Sequence, residues 1–169
     1  MKILWDVSVL FSIGDKIVYP MHGAGTIEAI EEKEFLGNRK HYYVMNLSVG
    51  EMKVMIPMDR ANRLGLRQII GQEELAEVYR VIKGNDGACS SQNNWNRRYM
   101  VNMEKIKSGN ILEVAEVYRT LKFREMEKGL STGEKKMLES VKRILLSELV
   151  LVQGEEEEEI NEKLEAAFK

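Results

Sequence analysis

Residues 11–25 read FSIGDKIVYPMHGAG, and this stretch decides how the first part of the chain folds. Asp15 to Tyr19 is predicted as a short strand, because β-branched and aromatic residues follow one another until Pro20 ends the run. His22 to Gly25 is predicted as a turn, since glycine tolerates positive φ at little cost. The opening therefore predicts a strand, a turn and a return strand.

The pattern continues outward from this opening. Three further strands are predicted at residues 26–34, 41–47 and 52–56, and Pro57 closes the last of them. Short strands separated by turns predict a small antiparallel β-barrel domain over residues 11–60. Residues 61–71 are predicted as a connector with a short helical turn.

After the connector the sequence becomes helical. Helices are predicted over residues 72–83, 95–108 and 111–128, and Asn93 or Asn94 is expected to cap the second of them. Ser131-Thr132-Gly133-Glu134 has the spacing of a capping box and opens a fourth helix that Gly154 ends. The predicted architecture is α+β: a β-barrel followed by an all-α bundle of four to five helices over residues 72–169.

The C-terminal segment 154–169 leaves two alternatives open. It contains an acidic run, Glu155 to Glu159, followed by Ile160, Leu164 and Phe168 at helical spacing. Such a segment is either a fifth helix docked on the domain or a solvated tail. Acidic residues in a first turn favour the helix through its macrodipole.

Composition limits the classes of function. The chain has 169 residues, a net charge of −2 and one cysteine, Cys89, so it forms no intramolecular disulfide. No apolar run reaches the roughly 18 residues that cross a bilayer, and the first ten residues lack the cleavage site of a signal peptide. We therefore expect a cytoplasmic protein without membrane contact.

Catalytic and metal chemistry are not indicated by the pattern of reactive residues. His22 and His41 lack acidic neighbours at ligand spacing, and Cys89 lies among glycine and serine with no basic neighbour to activate it. Gly23-Ala24-Gly25 is not followed by the lysine and serine of a phosphate-binding loop. We expect no metal, no cofactor and no enzyme activity.

Four blocks in the right order carry a resemblance to a known family. Residues 11–25, Met55-Ile56-Pro57, residues 94–99 (NWNRRY) and residues 129–138 (GLSTGEKKML) resemble the CarD/CdnL family of bacterial transcription regulators. The first module also occurs in the transcription-repair coupling factor. The resemblance covers roughly residues 11–153. It implies a Tudor-like or SH3-like barrel that binds the RNA polymerase β subunit, and a helical domain that binds promoter DNA at the upstream edge of the transcription bubble.

The resemblance also implies residues that contact DNA. Trp95 matches a wedge that stabilises the open complex, and the other candidates are Asn94, Arg97, Arg98, Tyr99, Lys135 and Lys136. Arg97 is favoured for phosphate contact and Arg98 for an internal salt bridge. Composition alone allows a core tryptophan, solvated cations and a simple capping box. Met100 stands where the family carries a lysine, which predicts weaker DNA affinity.

Polymerase contacts are implied on the barrel. Two family contact positions fall at Lys33 and Met55, and the remaining candidates are Pro57, Tyr19 and Arg39. Lys33 keeps a positive charge, whereas Met55 does not, so one ion pair of the family is absent. An exposed strand edge offers unpaired backbone groups to a partner strand.

The sequence leaves two alternative functions and two oligomeric states open. The first rival is an adaptor that joins polymerase or another protein to a second protein without touching DNA, and burial of Trp95 would favour it. The second rival is a small enzyme, which a deep pocket with convergent polar groups would favour. We expect a monomer, with an edge-paired or swapped dimer as the alternative.

Overall fold

The computed structural model describes residues 11–84 and 94–169, so Cys89 and the predicted cap Asn93 lie outside the described residues. The first domain is an antiparallel sheet whose order is β4-β3-β2-β1-β5. Its strands are β1 (Lys16–Tyr19), β2 (Gly23–Phe35), β3 (Asn38–Leu47), β4 (Lys53–Pro57) and β5 (Arg67–Gln68). In the described ranges β4 and β5 do not pair with each other, so this five-stranded sheet is open. The α+β order of a small antiparallel β-domain followed by helices is the predicted one.

One face of this sheet forms the core of the β-domain. Ile17, Ile27, Tyr43 and Ile56 are fully buried, and the register places Tyr43 of β3 directly opposite Ile56 of β4. The Phe11 amide donates a hydrogen bond of 3.2 Å to the Tyr43 hydroxyl, and the two rings meet edge to face at 6.1 Å. The strand alternation read from the sequence therefore points apolar side chains into one core, as a half-buried sheet requires.

The predicted turn at His22 to Gly25 is wrong in part, because β2 already begins at Gly23. The chain reverses at Pro20 to His22, with Met21 at a φ of 77°. Gly23 has a φ of 119°, which a β-carbon would disfavour. Gly25 is needed for another reason: a β-carbon there would lie within 3.0 Å of backbone atoms of Asn46 and Leu47. This glycine permits close approach of β3 instead of forming a turn.

The described residues of the second domain form five helices. They are α1 (Leu75–Lys83), α2 (Trp95–Lys107), α3 (Ile111–Glu127), α4 (Thr132–Gln153) and α5 (Glu157–Ala166). A short 3-10 turn at Gln72–Glu74 precedes α1, and Ser131 forms the predicted capping box with Glu134 at the start of α4. Every helix predicted from periodicity is present to within a few residues. No helix in the described part of the chain is long and apolar enough to cross a membrane.

The C-terminal segment is a docked helix, which resolves the alternatives left open by the sequence. Ile160 and Leu164 of α5 are fully buried in the helical core. Phe168 meets Tyr118 and Phe123 of α3 edge to face, at ring distances of 5.7 and 5.5 Å. Burial of one apolar stripe outweighs the charge of the acidic run, which stays on the outer side of the helix.

The two domains share an interface built by β2, the connector and α4. Ser147 and Glu148 of α4 are both buried, and the Ala24 amide of β2 donates a hydrogen bond of 2.7 Å to the Ser147 hydroxyl. The predicted connector contains β5, which the sequence did not reveal; Arg67 there binds Glu148 through two hydrogen bonds. The domain division at residues 60 and 72 stays a prediction.

Candidate nucleic-acid interface and partner-binding face

The candidate nucleic-acid interface begins where α2 begins. The Asn94 side chain accepts a hydrogen bond of 2.9 Å from the Asn96 amide, so Asn94 is the cap among the two residues that the sequence left open. Trp95 is therefore the first residue of α2, and its side chain is 40% exposed. Trp95 is therefore not part of the core. A buried Trp95 would have favoured the adaptor alternative.

Three contacts fix the orientation of the Trp95 indole. Its ring stacks on Tyr99 one turn later, with centroids 5.1 Å apart and an interplanar angle of 22°. Its Nε1 donates a hydrogen bond of 3.0 Å to the Ser131 hydroxyl. A β-carbon on Gly133 would lie 3.2 Å from the ring, so the indole rests against the first turn of α4. The N-termini of α2 and α4 thus meet at one exposed aromatic ring.

Glu134 lies buried beneath this junction. One carboxylate oxygen accepts hydrogen bonds from the Ser131 amide at 3.3 Å and the Ser131 hydroxyl at 3.1 Å. The other forms ion pairs with Arg124 of α3 at 3.3 Å and Arg98 of α2 at 3.8 Å. Only 11% of the Arg98 side chain is exposed, so Arg98 forms the internal salt bridge that the sequence favoured for it.

Exposed cations lie around the junction. Arg97 is exposed, and helical spacing places it about 200° around α2 from Trp95, on the side of Met100 and Val101. Lys135 and Lys136 are exposed in the first turn of α4. Free amides and the helix macrodipole attract anions at such helix N-termini. Lys135 and Lys136 therefore lie on the helix turn that borders the flat apolar ring, which suits the edge of a nucleic acid, whereas Arg97 points to the other side of α2.

The candidate partner-binding face lies on the outer side of β2, β3 and β4. Register pairs Lys33 with Lys40, and Val44 with Met55, and strand alternation puts all four on the face opposite the core. Pro57 extends the same face one pair beyond Met55. Met55 is 37% exposed, and β4 is an edge strand that pairs only with β3 in the described ranges.

Two of the predicted partner-binding residues lie elsewhere. Arg39 is on the opposite face of the β2–β3 hairpin, where it lies 3.8 Å from both Glu32 and Glu34. Tyr19 is on β1, two strands away from β3, and its ring contacts the His22 ring at a tilt, with the centroids 4.2 Å apart. The structure thus groups Lys33, Met55 and Pro57, and it separates Arg39 and Tyr19 from them.

A cavity of about 560 Å³ lies between the connector, α1 and the α2–α3 turn. Two of its charged side chains have partners: Arg67 binds Glu148, and Glu77 binds Arg80. Within residues 11–84 and 94–169, no three histidine, cysteine or acidic side chains come together in a metal-binding group.

The described surfaces are those of a two-domain α+β binding protein. Comparison with known proteins identifies its family: residues 11–70 match the CarD-like/TRCF RID domain, and residues 77–165 match the CarD C-terminal domain. The chain is also 43% identical over 151 residues to YdeB, a candidate transcription factor of Bacillus subtilis (strain 168), covering 89% of this chain and 97% of YdeB. The protein belongs to the CarD family of transcription factors, and the RID match agrees with a Tudor-like sheet.

The sequence indicated Trp95 and the capping box of α4, but it did not indicate that the two are in contact. Ser131 and Glu134 were predicted only as the cap of α4, and Arg124 was not singled out at all. The capping-box spacing was the available signal, because it marks Ser131 as a hydroxyl at a helix N-terminus that can accept a hydrogen bond from an indole nearby. The distance between the two segments, 36 residues, hides that proximity.

Proposed function

We propose that this protein is a transcription regulator that binds the RNA polymerase β subunit through its β-domain and upstream promoter DNA through α2 and α4. The observation that carries the proposal is the exposed Trp95 ring, stacked on Tyr99 and bordered by two helix N-termini. In a soluble protein an aromatic ring of this size gains more from burial than from exposure. Its position at the surface is therefore consistent with a partner that covers it.

The proposed nucleic-acid contact is a wedge at the upstream edge of the transcription bubble. Aromatic and apolar side chains that enter the minor groove insert at unstacked steps, and their contacts offset part of the unstacking cost. Trp95 fills that role, while Arg97, Lys135 and Lys136 contact phosphates on either side. Asn94 caps the helix that begins at Trp95, and Tyr99 stacks on the ring. Because a wedge responds to DNA deformation, promoter selectivity follows bubble stability more than base sequence.

The proposed polymerase contact is the outer face and free edge of β4. The edge offers backbone hydrogen bonds to a strand of the β subunit, Lys33 adds a positive charge, and Met55 and Pro57 add apolar surface. Binding there raises the effective concentration of the helical domain near the fork. Each DNA contact can then be weak by itself and still act on the complex.

The test is the lifetime of the cognate open complex on a ribosomal promoter under competitor challenge. Wild type is expected to lengthen the lifetime, and Trp95→Ala to lose most of that effect while still binding polymerase. Met126→Ala is the matched control, because Met126 is another exposed apolar residue of the helical domain, 59% exposed. The proposal fails if wild type leaves the lifetime unchanged, or if Trp95→Ala behaves like Met126→Ala.

An adaptor without DNA contact is the second candidate, and one observation favours it. Met100 is 65% exposed and Val101 is 43% exposed, so the outer side of α2 is apolar next to Arg97. Such a surface fits a protein partner as well as it fits DNA. Footprinting separates the two candidates: a DNA-binding regulator protects the upstream edge of the bubble, whereas an adaptor leaves the footprint of polymerase unchanged.

A further inference from the structure

The Trp95 indole is held by a hydroxyl group whose bonding capacity is fully used. A serine hydroxyl has one hydrogen to donate and two lone pairs that accept. The Ser131 hydroxyl accepts from Trp95 Nε1 at 3.0 Å and from the Glu134 amide at 3.2 Å, and it donates to the Glu134 carboxylate at 3.1 Å. Donation to the carboxylate leaves only lone pairs for the indole. The direction of each bond is therefore determined.

Glu134 can orient the Ser131 hydroxyl because contacts from three helices hold the Glu134 carboxylate in place. Its carboxylate is buried at 4% exposure, and buried acidic groups need partners. Those partners come from three helices: Ser131 at the start of α4, Arg124 of α3 and Arg98 of α2. A chain of hydrogen bonds also polarises its members, so a hydroxyl that donates to a carboxylate becomes a better acceptor for the indole.

We infer that Ser131, oriented by Glu134, is the positioning residue of Trp95, and that this pair holds the indole in the orientation in which it meets DNA. The inference rests on the proposed function and names a residue that acts through Trp95 without touching DNA itself. Trp95 is 40% exposed, which leaves its side chain room to change rotamer. Fixing the rotamer in advance removes that ordering cost from the binding step.

The expected size of the effect follows from one hydrogen bond. A net hydrogen bond in a protein changes an equilibrium on the order of fivefold. Removing the Ser131 hydroxyl is therefore expected to lower the ratio of held to released indole by about that factor, and to reduce the extension of open-complex lifetime by at most that factor. Ser131→Thr keeps a hydroxyl at the same position and is expected to restore both.

The experiment compares Ser131→Ala with a control that loses the same kind of cap. Asn110 caps α3 by accepting a hydrogen bond of 2.9 Å from the Leu112 amide, and the structure gives it no contact with Trp95. Asn110→Ala thus costs a helix cap without releasing the indole. All variants are made in a Trp5→Phe background so that acrylamide quenching reports Trp95 alone. Polymerase binding and open-complex lifetime are measured on the same proteins.

The expected result is greater quenching of Trp95 and a shorter lifetime in Ser131→Ala, with Ser131→Thr and Asn110→Ala close to wild type. Unchanged quenching in Ser131→Ala overturns the inference, and so does increased quenching with an unchanged lifetime extension. Failure of the proposed function is recognised separately. In that case wild type and Trp95→Ala give the same lifetime, while quenching still shows whether Ser131 holds the ring.

Discussion

Arg67 and Glu148 join the two domains through a pair of parallel hydrogen bonds. Nη1 of Arg67 donates to one carboxylate oxygen of Glu148 at 2.8 Å, and Nη2 donates to the other at 2.7 Å. Nε of the same guanidinium donates to the Gly109 carbonyl at 2.8 Å, and the Ile70 amide donates to Glu148 at 2.9 Å. Two-point pairing of this kind fixes an angle as well as a distance. It sets where the β-domain lies relative to Trp95.

Breaking this pair on one side is expected to destabilise the whole protein. Arg67→Ala leaves the Glu148 carboxylate, 4% exposed, buried without its cation, which costs on the order of 3–5 kcal/mol. The double variant Arg67→Met with Glu148→Met removes both charges and is expected to cost clearly less than Arg67→Ala alone. Urea unfolding of wild type, the single variants and the double variant measures these differences. Equal losses in Arg67→Ala and the double variant would contradict the argument.

Local patterns predicted the elements of this fold, and long-range pairing escaped them. The capping box at Ser131 and the cap Asn94 were readable because a helix start depends on neighbours within four residues. Strand β5 has only two residues and no apolar alternation, so it could not be recognised. Arg67 and Glu148 are 81 residues apart, and nothing in either local sequence marks the other. The domain interface was therefore invisible to sequence reasoning.

In the candidate site too, features set by local sequence were predicted and features set by long-range pairing were not. Exposed cations at helix starts and the position of Trp95 followed from the sequence and from the family resemblance. The sorting of Lys33 and Arg39 onto opposite faces of one hairpin did not, because it depends on the register that pairs Lys33 with Lys40 across β2 and β3. A shift of one residue exchanges the two faces of a strand.

Gly133 and Gly129 are expected to respond in opposite directions to the same substitution. Gly133 lies inside the first turn of α4, where alanine favours the helix by up to about 1 kcal/mol. Its new β-carbon would lie 3.2 Å from the Trp95 ring and displace the indole slightly. Gly129 has open space but a φ of 78°, so alanine there is strained by roughly 1–2 kcal/mol.

Thermal unfolding and the indole N–H resonance test this contrast. Gly133→Ala is expected to keep or raise the melting temperature while shifting the Trp95 resonance. Gly129→Ala is expected to lower the melting temperature and leave that resonance in place. A fall in stability for Gly133→Ala, with no change at the indole, would show that the ring does not rest on this turn.

The C-terminal helix is expected to add a pH-dependent contribution to stability. A hydrogen bond from Lys142 at 2.6 Å, with a further one from Lys122 at 3.0 Å, holds the pKa of Glu165 below its ordinary value of 4.5, although partial burial opposes the shift. A carboxyl whose pKa is lowered by folding stabilises the folded state above its ordinary pKa. That stabilisation disappears as the pH falls from about 4.5 through the lowered value.

Glu165→Gln is therefore expected to be less stable than wild type at neutral pH, and the difference is expected to shrink as the pH falls below 4.5. Chemical unfolding at a series of pH values measures the gap. Glu162→Gln is the control, because Glu162 is an exposed carboxylate on the same helix. A gap that stays constant from neutral to acid pH would mean that the Glu165 carboxylate stabilises nothing by its charge.

Polymerase binding is expected to depend on one face of the β2–β3 hairpin and not on the other. Lys33→Glu reverses a charge that forms no ion pair with any described residue, and Met55→Asp places a charge on the exposed apolar strand β4. Both are expected to weaken binding to the polymerase β subunit by tenfold or more, since tenfold corresponds to about 1.4 kcal/mol and a mispaired charge at an interface costs at least about that much. Arg39→Ala lies on the opposite face and is expected to bind as wild type does. Strong loss in Arg39→Ala with none in Lys33→Glu would place the interface on the other face.

Arg97 is expected to contribute to DNA affinity through charge, without base specificity. Replacing one phosphate-contacting cation weakens binding about uniformly across sequences and lowers the salt dependence of the binding constant by about one unit of slope. Arg97→Ala is measured in the polymerase–promoter complex, where the tethered domain binds tightly enough to titrate. Arg63→Ala is the matched control, because Arg63 is also an exposed arginine but lies in the connector.

The expected outcome is a smaller salt slope for Arg97→Ala and an unchanged slope for Arg63→Ala. If the two variants show the same slope as wild type, Arg97 faces solvent in the complex, and Lys135 and Lys136 carry the phosphate contacts. If Arg97→Ala changes promoter preference instead, the guanidinium reads a narrow groove or a base edge. Arg97 lies on the same side of α2 as Met100 and Val101, so these three side chains face the same environment in the complex. Each outcome therefore also shows whether that side of α2 meets DNA or solvent.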